Sequence, residues 1–144
     1  MTNALAILER SFRPIALASS LGRGRHGRQP KRPYIGVYLL IRERQIVYIG
    51  SSVWMPERIW SHCDGRRKLE AGTTTHGKRF DRAMCLPLPA SVIRFYEGAL
   101  IRALVPEYTK DLRVGSPGYD AEILYGLGLR DELTTDDIAW QEVA

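Results

Sequence analysis

Tyr34-Ile35-Gly36-Val37-Tyr38-Leu39-Leu40 and, after Glu43-Arg44-Gln45, Ile46-Val47-Tyr48-Ile49-Gly50 decide the fold of this 144-residue chain. Both runs are short and rich in β-branched and aromatic residues, and the polar triplet between them is short enough for a hairpin. Side chains alternate along a strand, so a turn centred on Glu43 pairs Tyr38 with Tyr48. In that register Tyr38, Leu40, Ile46 and Tyr48 share one face, and Val37, Leu39, Ile41, Val47 and Ile49 make the other face wholly aliphatic. The aliphatic face is core. The two phenols stand side by side on the opposite face, where a buried hydroxyl needs a hydrogen-bond partner. A slip of one residue would separate them.

Downstream of the hairpin, Ser51 and Ser52 are capping candidates and Pro56 suits a first helical turn. They predict a helix from about Met55 to Asp64, stopped by Gly65. Arg58 and His62 are four apart in it and project from the same side. Residues 66 to 80 read as a basic loop whose Arg66, Arg67, Lys68, Lys78 and Arg79 are expected to lie along a substrate; His76 reads as a surface residue. Ala83-Met84-Cys85-Leu86 is a short third strand, ended by Pro87 and Pro89. Ser91 then caps a helix reaching about Val105, with Pro106 ending it. On that helix Ile93, Glu97, Leu100, Ile101 and Leu104 fall on one stripe, so a single carboxylate interrupts an apolar face. Burying an unpaired charge is costly, so Glu97 must be neutral, paired or holding a cation.

At the N-terminal side, residues 3 to 19 suggest a helix that Pro14 interrupts or ends. Between Leu21 and Pro33, glycines and prolines alternate with Arg23, Arg25, Arg28, Lys31 and Arg32, a cationic arm able either to track a phosphate backbone or only to aid solubility. Gly115-Ser116-Pro117-Gly118 is a turn, and the acidic C-terminal segment is expected to end in a helix capped by Thr134 or Thr135. One core accounts for all of this. The expected fold is α+β: a small three-stranded antiparallel sheet flanked by helices over residues 34 to 110, with an N-terminal helix and basic arm (1 to 33) and an acidic C-terminal extension (111 to 144) packed on the same domain.

The net charge of +5 hides a polarity along the chain. Residues 1 to 110 carry 19 basic and 8 acidic side chains, residues 111 to 144 carry 2 and 8, and 17 of the 21 basic residues are arginine. The guanidinium fork suits phosphate oxygens, so a polyanion is the natural partner. Cys63 and Cys85 fit no zinc-ligand spacing and are expected to be free thiols in a reducing compartment. No apolar run approaches the roughly 18 residues that span a bilayer. The expectation is a soluble, cytoplasmic protein without a membrane partner, monomeric or homodimeric.

These residues resemble the GIY-YIG nuclease superfamily. Gly36-Val37-Tyr38 is similar to its first signature and Tyr48-Ile49-Gly50 to its second. Arg58 follows the second tyrosine by ten residues and His62 comes four later, as in many members, and Glu97 in Tyr96-Glu97-Gly98-Ala99-Leu100-Ile101 sits where the family keeps its metal-binding glutamate. The likeness runs from about Tyr34 to Thr109. It departs at Thr109, where relatives usually carry an asparagine after Pro106-Glu107-Tyr108, and a hydroxyl lacks the amide's paired groups. Many relatives also carry a histidine in the loop that here contains His76.

The resemblance implies a divalent-metal-dependent DNA endonuclease, with RNA as an alternative substrate. Glu97 would hold one Mg2+ or Mn2+, mostly through waters; Arg58 would neutralise phosphate charge; and a signature tyrosine, Tyr38 in preference to Tyr48, would take a proton from water with help from His62. A phenol with an ordinary pKa of about 10 is a poor base unless cationic surroundings depress it, and His62, ordinarily near 6.5, could assist. Each residue also has a plainer reading: tyrosines packed in a strand, an exposed helix face, and Glu97 bridged to Arg58. The competing functions are a catalytically impaired nucleic-acid-binding module that keeps the nuclease fold, and an interaction protein whose acidic tail covers its basic cleft.

Overall fold

The computed structural model describes residues 3–15, 17 and 34–129. The arm residues Arg23, Arg25, Arg28, Lys31 and Arg32 and the helix expected at Thr134 or Thr135 lie outside the described residues. The element order is α1 (Ala4–Leu8), β1 (Arg13–Ile15), β2 (Gly36–Arg42), β3 (Gln45–Ser52), α2 (Met55–Glu70), β4 (Arg82–Pro87), α3 (Ile93–Leu104) and α4 (Asp120–Gly126). The class is α+β, and the antiparallel sheet has four strands in the order β1-β4-β2-β3 rather than the expected three. The extra strand comes from within residues 3 to 19, the segment expected to hold a helix that Pro14 interrupts or ends. Helix α1 ends after one turn, and Arg13-Pro14-Ile15 turns to pair with Cys85, Met84 and Ala83 at the sheet edge. An outermost strand is where a proline, lacking its N–H, is tolerated.

The hairpin register differs from expectation in an instructive way. The turn is two residues long, with Glu43 and Arg44 both at positive φ (50° and 69°), the sense required by a type I′ hairpin turn. Carried up the strands without a break, that turn would set Leu40 opposite Val47 and put Tyr48 on the aliphatic side. A bulge intervenes: Ile41 pairs with Ile46, but Leu40 pairs with Tyr48 and Tyr38 with Gly50, leaving Val47 as the extra residue. Tyr38 therefore pairs with Gly50 rather than Tyr48, and Ile46 and Val47 exchange faces relative to the expected assignment. The bulge restores the parity, so both tyrosines still share a face.

Each face of the sheet has its own core. Val37, Leu39, Ile41, Ile49 and Met84 pack with Leu5, Leu8 and Phe12 from the N-terminal segment, Leu100 and Ile101 from α3, and Ile123, Leu124 and Leu129 from the C-terminal side. The opposite face gathers Tyr38, Leu40, Val47, Met55, Ile59, Cys63, Phe80, Ala83 and Cys85, covered by α2. Both cysteines are buried free thiols. Helix α2 runs past Gly65 to Glu70, six residues beyond its expected end. A lone glycine costs a helix only about 1 kcal/mol, and Arg67 and Lys68, on the solvent side, bridge back to Asp64 across the next turn. Trp54 occupies its N-cap without a side-chain bond, while Ser52 accepts from the Trp54 backbone N–H at 2.9 Å, so neither serine caps the helix directly. Likewise Val92, not Ser91, is the N-cap of α3. Among the described residues, no helix is long and apolar enough to cross a membrane.

Candidate active site

Alternation along β2 sends Tyr38 to the α2 face, and the bulge at Val47 sends Tyr48 there too. Helix α2 delivers His62 between them: ring centroids lie 5.1 Å (Tyr48–His62), 5.5 Å (Tyr38–His62) and 6.1 Å (Tyr38–Tyr48) apart. Tyr38 is 1% exposed, and its hydroxyl makes a 2.8 Å hydrogen bond with His62 Nε2. Its cross-strand partner Gly50 explains how a buried phenol fits. A Cβ at position 50 would collide with the Tyr38 hydroxyl and ring, so the glycine leaves the channel through which Tyr38 reaches His62. Arg58, one turn before His62 on α2, is exposed, and its charge is felt at Tyr38, Tyr48, His62 and Lys78 alike.

Burial governs the protonation of this cluster. It pushes the Tyr38 phenol far above its ordinary value, with Tyr48 and Glu97 adding to the rise and Arg58 opposing it. Tyr48 is raised by burial first and by Glu97 second, against the neighbouring Tyr38 and the charge of Arg58. Arg58 does act to depress both phenols, but desolvation outweighs it, so the condition that would make either a good base on its own is not met. His62 is pushed down to about 4 by burial, then by Lys78 and Arg58. At neutral pH the site holds two protonated phenols and an uncharged imidazole whose Nε2 can accept the Tyr38 proton when Nδ1 carries the ring hydrogen.

Glu97 stands apart from the phenols. It belongs to α3, which packs on the aliphatic face, and at 6% exposed it is the buried charged residue among those described. Ser51 pairs with Val37 and so turns to the same side. There its hydroxyl donates to Glu97 Oε1 at 2.9 Å, and the Arg94 guanidinium donates to the same oxygen at 3.1 Å. The buried acid is therefore paired, with Arg94 one turn earlier rather than with Arg58. Its contact with the site runs through the end of edge strand β3, from where its negative charge raises both phenols.

Among the described residues no group of three or more His, Cys, Asp or Glu gathers as a cage for a metal ion. Mg2+ at phosphoryl-transfer sites asks for less: one or two carboxylates, several waters and the substrate's own oxygens. Glu97 fits that demand, with both of its protein bonds on Oε1.

The remaining candidates separate. Arg66 spends its charge inside the protein: its guanidinium lies 4.9 Å from the Phe80 centroid and donates to Phe80 O at 3.0 Å. Arg67 and Lys68 share Asp64, Arg79 and His76 are exposed, and Thr109 is half-buried, with its backbone N–H on Pro106 O at 3.0 Å. Lys78 alone of the loop cations reaches the cluster, its Nζ 4.6 Å from the Tyr48 centroid. Ser51, Arg94 and Tyr108, whose hydroxyl accepts from the Arg79 backbone N–H at 2.8 Å, were not assigned site roles from sequence. A serine after a strand and an arginine on a helix carry no local signal of what they will meet. Compared with known protein families, curated proteins and solved structures, the chain matches none.

Proposed function

We propose that the chain is a divalent-metal-dependent endonuclease of the GIY-YIG type, hydrolysing phosphodiester bonds in DNA. The observation that carries this reading is the buried Tyr38 hydroxyl hydrogen-bonded to an uncharged His62 within the field of an exposed arginine. In the proposed reaction Arg58 binds the scissile phosphate. Arrival of that anion offsets the part of the His62 depression that Lys78 and Arg58 add to burial, so the imidazole becomes a stronger base when substrate is present. The attacking water passes a proton to the Tyr38 oxygen as Tyr38 passes its own to His62 Nε2, and the water oxygen forms the new bond to phosphorus. Glu97 is the residue that would hold Mg2+ or Mn2+, whose bound charge polarises the phosphate and stabilises the departing oxygen. Tyr48 packs against both Tyr38 and His62 and keeps the relay dry.

The test is nicking of supercoiled plasmid with Mg2+ by the wild-type chain and by Glu97→Gln and Arg58→Ala. Each variant is expected to lose at least about 100-fold in rate while keeping the wild-type circular dichroism and thermal midpoint. Undiminished nicking by Glu97→Gln, or cleavage in metal-free buffer, defeats the reading. A second reading, a nucleic-acid-binding module without turnover, is favoured by one observation: Arg94 occupies the Glu97 carboxylate in the place a cation would compete for. Salt-sensitive binding without cleavage of any DNA or RNA would select it.

A further inference from the structure

The loop between α2 and β4 is held far more firmly than a surface loop of mixed charge would need. Gly77 sits so close against the Gly65 backbone of α2 that a Cβ there would meet Gly65 O and the Leu69 side chain. On the other side of Lys78, the Arg79 backbone N–H donates to Tyr108 Oη at 2.8 Å, and Tyr108 is itself tied by its N–H to Val47 O at 3.0 Å. Arg66 binds Phe80 O, and the Asp81 N–H binds Ile41 O at 2.8 Å. Lys78 is thus fixed from both sides and laid over aromatic rings, with Nζ 4.6 Å from the Tyr48 centroid and 6.0 Å from that of Tyr108.

That placement brings like charges together. Arg58 and Lys78 lie close enough for each to disfavour protonation of His62, and Arg58 also pushes Lys78 below its ordinary value, although burial is the larger cause there. Several cations near this loop find carboxylates or carbonyls, Arg67 and Lys68 on Asp64, Arg66 on Phe80 O and Arg42 on Glu107, while the Arg79 side chain is exposed. Among the described residues neither Arg58 nor Lys78 forms an ion pair. Glu97, the nearest buried acid, acts on the two phenols from the other side of the sheet. A half-buried ammonium held in the field of an exposed guanidinium, with no counter-charge for either among the described residues, is repelled by it, a cost that a bound anion relieves.

We propose that Lys78 and Arg58 grip a single phosphate group between them, at the Tyr48 ring, so that this loop lysine binds the reacting phosphate rather than a distant stretch of backbone. The assignment rests on the nucleic-acid reading above and deepens it: the group recognised is one phosphodiester, taken by a guanidinium from α2 and an ammonium from the loop. The guanidinium supplies a two-pronged contact and the ammonium a point charge.

Binding, not turnover, tests it. A fluorescent single-stranded DNA 12-mer is titrated in EDTA with the wild-type chain, Lys78→Gln, Arg58→Gln, the double variant and Lys110→Gln, an exposed lysine outside the site. Lys78→Gln and Arg58→Gln should each weaken binding about tenfold, the size of one charge-assisted hydrogen bond. Each should also lower the salt slope by about one. Because both hold the same group, the double variant should lose clearly less than the product of the two, with no further fall in slope. Lys78→Arg should recover most of the affinity, and Lys110→Gln should stay within about twofold of wild type. Lys78→Gln within twofold of wild type overturns the assignment. So does a double variant whose losses multiply and whose slope falls by two, a Lys110→Gln loss as large as that of Lys78→Gln, or a wild-type chain that does not bind the oligonucleotide. If the expected pattern is met but plasmid is never cut with Mg2+, hydrolysis fails and the phosphate grip stands. If plasmid is cut and Lys78→Gln binds normally, the reverse holds.

Discussion

Residues of a single strand, β2, build both sides of the sheet, yet the two sides differ in kind. Toward α3 it sends Val37, Leu39 and Ile41, which meet Leu100 and Ile101 in a core where Glu97 is the buried charge. Toward α2 it sends Tyr38 and Leu40, and there the packing includes a phenol pair, an imidazole and two thiols. Both sides are equally dry at β2, where Val37, Leu39, Leu40 and Ile41 are 0% exposed and Tyr38 is 1% exposed. Dryness on the first side serves cohesion among aliphatic side chains, with Glu97 the charged exception among the described residues. On the second it sets protonation states, because removing water raises the phenols and lowers the imidazole. Apolar burial and reactive burial are therefore separable here by mutation, and the separation gives the experiments their order.

The largest effect on stability belongs to the aliphatic side. Leu100→Ala, at a fully buried position of α3, is expected to cost about 2–5 kcal/mol in urea unfolding through lost transfer energy and a residual cavity. The nicking rate of the fraction that remains folded should be unchanged. A loss below about 1 kcal/mol would mean that α3 is not what anchors this face. The reactive side is expected to respond to pH instead. His62 ordinarily titrates near 6.5 and in the folded chain is pushed down to about 4, so the unfolded chain binds the extra proton first. Stability is therefore full above about pH 6.5 and falls as pH drops toward 4, by up to about 3 kcal/mol. His62→Phe should flatten the unfolding free energy across that window while leaving the wild-type trend below pH 4. An equally steep fall in the variant would show that other groups, not this imidazole, carry it.

What could be read from the chain follows from how local each determinant is. The hairpin, the Pro56 helix start and the Glu97 stripe are properties of a few adjacent residues, and all three are present. Strand β1 was not legible, because Arg13-Pro14-Ile15 is too short to show alternation and is extended only because β4 offers it an edge. The bulge was equally hidden: Val47 looks like any strand residue, and only the combination of a two-residue turn with the paired positions reveals it. Of the residues named for the site, Tyr38, Tyr48 and His62 lie together, since hairpin parity and helical spacing bring them to one face, and Arg58 is exposed one turn before His62 on α2. The ties of Glu97 to Arg94 and Ser51, and the placement of Lys78 over Tyr48, depend on how α3 and a loop dock, which no short window encodes.

A smaller perturbation isolates the channel between the two tyrosine strands. Gly50→Ala puts a Cβ where the Tyr38 hydroxyl lies and must push the phenol off His62, at about 1–3 kcal/mol for an overpacked site. Its signature is a change in the near-ultraviolet tyrosine signal, while the acid-range pH dependence of His62, set by burial, Lys78 and Arg58, should persist. If alanine is tolerated with the tyrosine signal unchanged, Tyr38 does not need the channel, and the claim that this glycine positions the phenol fails.

The smallest effect comes from the one part of the hairpin that belongs to neither side. Glu43 and Arg44 hold positive φ values at the turn, a region that costs residues with a Cβ about 1–2 kcal/mol each and that asparagine and glycine occupy readily. The Glu43 backbone N–H donates to Asp81 Oδ2 at 2.9 Å, a bond that survives any change of side chain at position 43. Replacing the pair by Glu43→Asn and Arg44→Gly relieves the strain, while the glycine adds about 0.5–1 kcal/mol of lost chain entropy on folding. The balance is a gain of about 1 kcal/mol in unfolding free energy. Because the turn lies outside both cores and away from His62, this gain should be the same at pH 7 and pH 4.5 and should leave DNA affinity and nicking untouched. A gain that varied with pH would instead tie the turn to the phenol side through the bulge it feeds, and would mean that the register, rather than local strain, is what the substitution changed.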